Sequence, residues 1–339
     1  MIQACIPKFG NPDVFRIEEV PDPMPGKREV RIAVRASGVN FADILARKGL
    51  YPDAPKPLPI VVGYEVSGVV DAIGEGISDD LLGKEVIALT RFRGNATKVC
   101  VTEAAIFPKS KNMGFEQAAA VPVNYLTAWQ LMVVMGGLSI DETVLIHNAG
   151  GGVGLAAIQI GKKIGATLIG TASAAKHERL HAMGLHHAVD YRDANWPQVV
   201  RNLTNGKGVE LILDPVGGSY WKKNYQLLRP TGRLGMFGVS EVTASRLPGI
   251  LRFIPLVLKA PLWSPFSLLE NRGVFGVNMG HLWGEQAKVA VWGYDLMKGA
   301  EDGWLVPHVD RTFPLEDIAE AHQYIEDRKN FGKVVLTCT

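Results

Sequence analysis

The sequence predicts an α/β protein in which a small antiparallel β-barrel is followed by a doubly wound, parallel, six-stranded sheet. Two successive sequence patterns predict this order of domains. Short β-rich runs separated by Gly and Pro extend to about residue 108, and a repeat of strand, glycine turn and helix begins after about residue 121. The chain has 339 residues, 47% of them hydrophobic, which is enough material for two hydrophobic cores.

The first part of the chain contains four clear β-rich runs, at residues 15–20, 29–35, 67–73 and 84–89. Apolar and polar residues alternate within these runs, and turn-forming residues separate them at short intervals. This pattern is typical of a small, partly closed antiparallel barrel.

The second part contains six candidate strands, at residues 143–147, 167–170, 188–189, 210–213, 233–237 and 274–277. Helical segments separate them, and parallel neighbours need such crossovers, so the pattern predicts a Rossmann-like sheet. A further helix is predicted over 282–299, and the tail over 306–339 ends in the β-like run 333–336. Six strands complete the sheet, so we expect the tail to rejoin the first domain. The expected domains are 1–122 with 278–339, and 123–277.

The charge distribution contains no basic region suited to a polyanionic partner, because the formal net charge is only +2 and basic and acidic residues are interspersed. We therefore expect neither a nucleic-acid partner nor a membrane. The start of the chain lacks the features of a secretory signal, which favours the cytoplasm. Cys5, Cys100 and Cys338 are dispersed, so they are predicted to be reduced thiols.

A glycine-rich turn directly follows the first strand of the second domain. It opens an amphipathic helix and consists of Ala149, Gly150, Gly151, Gly152, Val153 and Gly154. In this context Gly151 lets backbone approach a pyrophosphate, Gly154 lets the helix pack closely on the strand, and the helix N-terminus presents N–H groups to the anion. We interpret the turn as a dinucleotide site, although Ala149 departs from the strict first glycine. The alternative is a purely steric strand-to-helix turn.

The residues after the second strand of this domain favour NADPH over NADH. An NAD site places an acid there to bind the ribose hydroxyls, and that position is Ala172. Ser173 supplies a hydrogen-bond donor, Lys176 supplies a positive charge, and Tyr191 and Arg192 end the third strand nearby. This set suits a 2′-phosphate. The alternative is that Lys176 is a solvated residue in the first turn of its helix.

A resemblance to a known family is carried by six stretches, at residues 38–43, 63–65, 123–128, 170–178, 214–218 and 330–335. With the barrel and the glycine turn, they resemble the medium-chain dehydrogenases/reductases over essentially the whole chain. Within that family the chain resembles the quinone oxidoreductase group, and it is similar to the branch of the synaptic vesicle membrane protein VAT-1. The resemblance implies a GroES-like β-barrel domain, a Rossmann domain, NADPH and a homodimer.

The resemblance also bears on zinc. Zinc-dependent members of the family have Cys where this chain has Asn40 and His where it has Tyr64, and neither replacement is a good zinc ligand. Three dispersed cysteines also cannot build the four-cysteine lobe of those relatives. His177 and His181 share a helical face, but no third ligand accompanies them in the sequence. We therefore predict no metal.

Without zinc, a hydroxyl or amide must stabilise the negative charge that develops on the substrate oxygen. By resemblance the candidates are Asn40, Asp43, Tyr51, Asn124 and Thr127, and Tyr64 is a secondary candidate. Tyr51 is the first choice, because related 2-enoyl thioester reductases use the tyrosine of the matching Gly-x-Tyr-Pro segment in protonation. A phenol donates a hydrogen bond and stays protonated at neutral pH. The alternatives are that Asn40 and Asp43 cap a helix, that Tyr51 packs its loop, and that Tyr64 fills space.

Further cofactor contacts are implied by resemblance alone. They are Thr127 at the nicotinamide amide, Phe237 and Gly238 after the fifth strand, Asn278 after the sixth strand, and Arg328 at the 2′-phosphate.

An apolar insertion over 247–269 stands where a short connection is expected. Arg252, Lys259 and four prolines interrupt it, which argues against a spanning helix. We hypothesise a lid that also forms the dimer interface, with attachment to a membrane surface as the competing hypothesis.

Three functions stay open. They are an NADPH-dependent reductase of quinones or α,β-unsaturated carbonyls, a 2-enoyl thioester reductase, and a dinucleotide-binding protein with little turnover. The first is preferred over the third because Asn40, Asp43 and Tyr51 are all present. The first two share one hydride step and differ in the size of the acceptor pocket.

Overall fold

The computed structural model describes residues 1–241, 251, 254 and 269–338. Within these residues the chain divides into two compact units. The first contains Met1–Leu126 and the chain from Met279 onward, and the second is Thr127–Asn278. The apolar insertion over 247–269 falls almost wholly outside the described residues. The lid, the interface and the membrane contact therefore stay hypotheses.

The described strands are, in chain order, β1 (Ile2–Ile6), β2 (Arg16–Glu19), β3 (Glu29–Val39), β4 (Ile60–Val61), β5 (Glu65–Ile73), β6 (Glu85–Leu89), β7 (Lys98–Thr102), β8 (Ile106–Pro108), β9 (Thr143–Ile146), β10 (Thr167–Ala172), β11 (His187–Asp190), β12 (Val209–Asp214), β13 (Leu228–Met236), β14 (Gly273–Gly276), β15 (Val309–Pro314) and β16 (Lys333–Thr337). The described α-helices are α1 (Phe41–Arg47), α2 (Phe115–Ala119), α3 (Pro122–Trp129), α4 (Gly152–Ile164), α5 (His177–Ala182), α6 (Trp196–Leu203), α7 (Ser219–Leu227), α8 (Gln286–Glu301) and α9 (Ile318–Glu326).

The first unit is mainly antiparallel β-structure. Its two sheets have the strand orders β2-β1-β4 and β15-β16-β3-β5-β6-β8, and β7 also pairs with β3. Along β3, Val30, Ile32 and Val34 are buried and alternate with more exposed residues, so one face of the strand enters the core. The tail joins this unit, because β16 pairs antiparallel with β3.

The tail also contains α9, so the prediction of a β-like tail was incomplete. Ile318, Ala321 and His322 of α9 are all buried. Their spacing of three and four residues places them on one face of a helix, and burial of that face explains why the segment is helical.

The second unit contains a six-stranded sheet of order β11-β10-β9-β12-β13-β14, in which every pairing is parallel. The predicted α/β fold with a doubly wound, parallel, six-stranded sheet is therefore confirmed. The chain runs outward from β9 in one direction to β11 and then returns to β12 on the other side of β9. Open α/β sheets bind ligands at the carboxyl ends of the strands, where this reversal occurs. Within the described part of the chain, no helix has the length and apolar character needed to cross a membrane.

Candidate functional site

The glycine turn lies where β9 ends and α4 begins, at the carboxyl edge of the parallel sheet. Ala149 is fully buried, and its N–H donates to the Thr171 carbonyl of β10 at 3.0 Å. A Cβ added to Gly154 would lie 2.5 Å from the Ala149 carbonyl oxygen, so a larger residue would push the helix away from the turn. Gly150 is buried, and Gly151 is the N-cap of α4, whose first two residues are Gly152 and Val153. The first turn of an α-helix leaves N–H groups without intrahelical partners, which suits an anion.

The candidate residues for a 2′-phosphate lie at the same edge of the sheet. Ala172 of β10 pairs with Asp190 of β11, so Ser173 and Tyr191 directly follow two aligned strand ends. Both side chains are half-buried. The N–H of Lys176 donates to the Ser173 carbonyl at 2.9 Å and closes the turn before α5. The Asp190 carboxylate accepts the N–H of residue 192 at 2.9 Å.

The remaining cofactor candidates are distributed over both units. Phe237 and Gly238 directly follow β13, and Asn278 lies two residues after β14. Thr127 is buried on α3. Arg328 is exposed and lies in the first unit, just after α9.

A buried ion pair forms the centre of the candidate site in the first unit. The ammonium of Lys333 on β16 pairs with the Glu65 carboxylate on β5, and these side chains are 3% and 0% exposed. Lys333 Nζ also donates to Asn40 Oδ1 at 2.7 Å, and Asn40 Nδ2 donates to Glu65 Oε1 at 2.9 Å. The second Glu65 oxygen accepts the N–H of Val123 at 2.6 Å. The network therefore joins β16, β5, the start of α1 and the start of α3.

Asp43 is fully buried one turn into α1, and both of its carboxylate oxygens are engaged. They accept the N–H groups of Asn40 at 2.8 Å and of Gly63 at 2.9 Å. Burial raises the pKa of Asp43 to about 7, while these two N–H groups act in the opposite direction. Asp43 thus fixes the start of α1 to the turn that precedes Tyr64.

The tyrosine candidates lie against each other. The rings of Tyr51 and Tyr64 meet edge to face with centroids 5.9 Å apart, and the Phe92 ring lies 5.0 Å from Tyr64. Burial raises the pKa of Tyr64, and nearby Asp43 and Tyr51 raise it further, so this phenol stays protonated. Asn124 is buried on α3, and its amide donates to the Ala120 carbonyl at 3.2 Å.

Glu65 and Lys333 were not among the site residues predicted from the sequence, although both carry a local signal. Each is a charged residue at the first position of an otherwise apolar strand run, followed by Val66 and Val334 respectively. A charge at such a position needs a buried partner.

Two family models match successive parts of the chain. Residues 26–131 match the family model described as the alcohol dehydrogenase GroES-like domain, and residues 183–336 match the model described as zinc-binding dehydrogenase. The synaptic vesicle membrane protein VAT-1 homolog of Homo sapiens is 38% identical over 337 residues, which cover 97% of this chain and 84% of that protein.

Two further similar proteins are named for an activity. A 2-haloacrylate reductase of Burkholderia is 31% identical, over 99% of this chain and 98% of that protein. The crystal structure of Escherichia coli quinone oxidoreductase complexed with NADPH is 26% identical, with a TM-score of 0.87 over 99% of this chain and 100% of that one. The chain belongs to the medium-chain dehydrogenase/reductase family of oxidoreductases, in the neighbourhood of the VAT-1 homologues and the quinone oxidoreductases.

Proposed function

We propose that this chain is an NADPH-dependent reductase that delivers hydride to a quinone or an α,β-unsaturated carbonyl without zinc. The observation that carries the proposal is the glycine turn 149–154 at the carboxyl edge of the sheet, beside the strand end that bears Ser173 and Lys176. Similarity to a quinone oxidoreductase crystallised with NADPH and to a 2-haloacrylate reductase supports the choice of donor and of acceptor.

The residues of the second unit fit NADPH. Residues 149–154 would hold the pyrophosphate through main-chain N–H groups, and Ser173, Lys176 and Tyr191 would hold the 2′-phosphate. Thr127, Gly238 and Asn278 would adjoin the nicotinamide end, with Phe237 next to Gly238. Arg328 of the first unit is a further candidate for the 2′-phosphate. Bound NADPH would supply the hydride.

In the first unit, Tyr51 is assigned the proton-donating role at the substrate oxygen. Its ring packs against Tyr64, whose raised pKa keeps a second phenol protonated beside it. Asn40 and Asp43 are assigned a positioning role, because their polar atoms bind Lys333, Glu65 and main-chain N–H groups. Asn124 would orient the substrate from α3.

The family model that covers residues 183–336 is described as zinc-binding, but the donor atoms near Asn40 and Tyr64 do not fit zinc. The Asn40 oxygen accepts from the Lys333 ammonium, and both Glu65 oxygens are occupied by donors. A cation already lies at this position, and a zinc ion would have to displace it. Among the described residues, no group of three His, Cys, Asp or Glu side chains forms a cluster able to hold a metal.

The proposal is tested by turnover with purified protein. NADPH is supplied with 1,2-naphthoquinone, a 2-alkenal or a crotonyl thioester, and absorbance of the reduced cofactor is followed. We expect oxidation of NADPH, faster than that of NADH, with the quinone or the alkenal. Preferential use of the crotonyl thioester would favour a 2-enoyl thioester reductase. Absence of oxidation with every acceptor, or preference for NADH, would refute the proposal.

We further propose that the chain forms a homodimer in the cytoplasm. β14 is the last strand of the six-stranded sheet and pairs only with β13 among the described strands, and an edge strand of this kind is suited to pairing with a second copy. Cys5, Cys100 and Cys338 are free thiols, as in proteins of a reducing compartment. Light scattering of the purified protein should give the mass of two chains, and the mass of one chain would contradict the dimer.

A further inference from the structure

A buried polar network surrounds His147, the residue that directly follows β9 and precedes the glycine turn. His147 is 1% exposed. Its Nδ1 lies 2.9 Å from Thr171 Oγ1 on β10, and its Nε2 lies 2.8 Å from Asn224 Oδ1 on α7. Thr171 and Asn224 are also buried. Both ring nitrogens are therefore used to join β9, β10 and α7.

The orientation of this ring is fixed by two aromatic neighbours. The rings of Trp196 and Tyr220 each meet His147 edge to face, with centroids 5.1 Å away, and stack on each other at 5.3 Å. Burial lowers the pKa of His147, so the ring is neutral and carries one N–H. The Asn224 side-chain oxygen can only accept, so Nε2 donates to it and Nδ1 accepts from the Thr171 hydroxyl.

The contact with Thr171 connects the two halves of the cofactor site assigned above. Thr171 lies two residues before Ser173, and its carbonyl accepts the N–H of Ala149. The side chain of His147 and the main chain of Ala149 therefore hold the same residue of β10. Together they fix the distance between the glycine turn and the strand end that bears Ser173 and Lys176.

We propose that His147 is a positioning residue that sets the preference for NADPH over NADH by holding Ser173 in register with the glycine turn through Thr171. This inference rests on the proposed function, in which the turn binds the pyrophosphate and Ser173 and Lys176 bind the 2′-phosphate. Loss of the register weakens contacts with the 2′-phosphate, which NADH lacks. The ratio of the two affinities therefore reports this role, whereas a loss of packing alone weakens both nucleotides equally.

Two amide variants separate the contacts of the imidazole. The Oδ1 of an asparagine takes the place of His Nδ1 as an acceptor, and the Nε2 of a glutamine takes the place of His Nε2 as a donor. His147→Asn therefore keeps the contact with Thr171, whereas His147→Gln keeps only the contact with Asn224. A second pair acts on the partner, since Thr171→Ser keeps the hydroxyl and Thr171→Val removes it.

The dissociation constants of NADPH and NADH are measured by titration for the wild type and the four variants, and the melting temperature of each variant is recorded beside them. We expect His147→Gln and Thr171→Val to lower the affinity ratio by about fivefold, the scale of one neutral hydrogen bond. His147→Asn and Thr171→Ser should stay within about twofold of the wild-type ratio.

The inference is overturned by either of two results in a wild type that prefers NADPH. In the first, both variants of each pair keep that preference. In the second, both variants of each pair lose it to the same extent. Should His147→Gln fail to fold, the pair at Thr171 decides by the same criterion. Wild-type protein that binds neither nucleotide would refute the proposed function itself, which distinguishes the two failures.

Discussion

Replacing Lys333 with Met removes the cation of the buried ion pair and leaves the Glu65 carboxylate in the core of the first unit. That carboxylate would keep two donors, the Asn40 amide at 2.9 Å and the Val123 N–H at 2.6 Å, and would lose its charge partner. The side chains of the pair are 3% and 0% exposed, so solvent cannot replace the ammonium. Breaking a buried pair by removing one partner costs about 3–5 kcal/mol, which is the destabilisation we expect for Lys333→Met.

The assay is equilibrium unfolding in urea, monitored by circular dichroism. The measured quantity is the free energy of the unfolding transition that involves the first unit. Lys329→Met is the matched control, because the ion pair of Lys329 with Asp327 has side chains 60% and 34% exposed. Such an exposed pair contributes about 0–1 kcal/mol. The double variant Lys333→Met with Glu65→Gln removes both charges and should recover part of the loss.

Two results would refute this reasoning. The first is a free energy of unfolding for Lys333→Met that is no lower than that of Lys329→Met. The second is a double variant with Glu65→Gln that is no more stable than Lys333→Met alone. Either result would mean that the carboxylate is not an uncompensated buried charge.

Three further changes test other parts of the account. Tyr51→Phe should lower kcat with a 2-alkenal by about tenfold or more, the scale of lost proton donation, without weakening NADPH binding. The control is Tyr294→Phe, at an exposed tyrosine. Equal turnover of the two variants would exclude Tyr51 as the donor. Lys176→Ala should weaken NADPH more than NADH by about 1–3 kcal/mol, measured by titration beside Lys163→Ala, and an equal loss for both nucleotides would count against a 2′-phosphate site. Burial and the neighbouring cations Arg47 and Lys48 hold the pKa of His322 well below its usual value. The unfolded state therefore binds a proton that the folded state does not. Because of this difference, the free energy of unfolding decreases as pH falls below about 6.5. The urea midpoint should therefore fall between about pH 7.5 and 5.5 and depend less on pH in His322→Leu, whereas an identical pH dependence would contradict this assignment.

The parallel sheet and the glycine turn could be predicted from sequence because their signals are local. Strand, turn and helix each occupy one consecutive stretch, and the turn 149–154 joins β9 to α4, with two residues between the end of β9 and the turn. The helix α9 was missed because its buried face shows only once the tail is packed against the first unit.

The ion pair could not be predicted in the same way, because 268 residues separate Glu65 from Lys333. Each side chain gives a local signal, a charge at the start of an apolar strand, but only the pairing of β3 with both β16 and β5 brings the two together. The same holds for His147, whose partners Thr171 and Asn224 lie 24 and 77 residues away. Contacts of this kind depend on topology, which periodicity alone does not determine.

Measurement of nucleotide binding is the decisive test of whether the glycine turn is a dinucleotide site. Isothermal titration of the wild-type protein with NADPH and with NADH compares two ligands that differ only in the 2′-phosphate. We expect saturable binding of NADPH that is about tenfold tighter than that of NADH, or more, the scale of one charge-assisted contact. Equal affinities, or the absence of saturable binding by both, would contradict it.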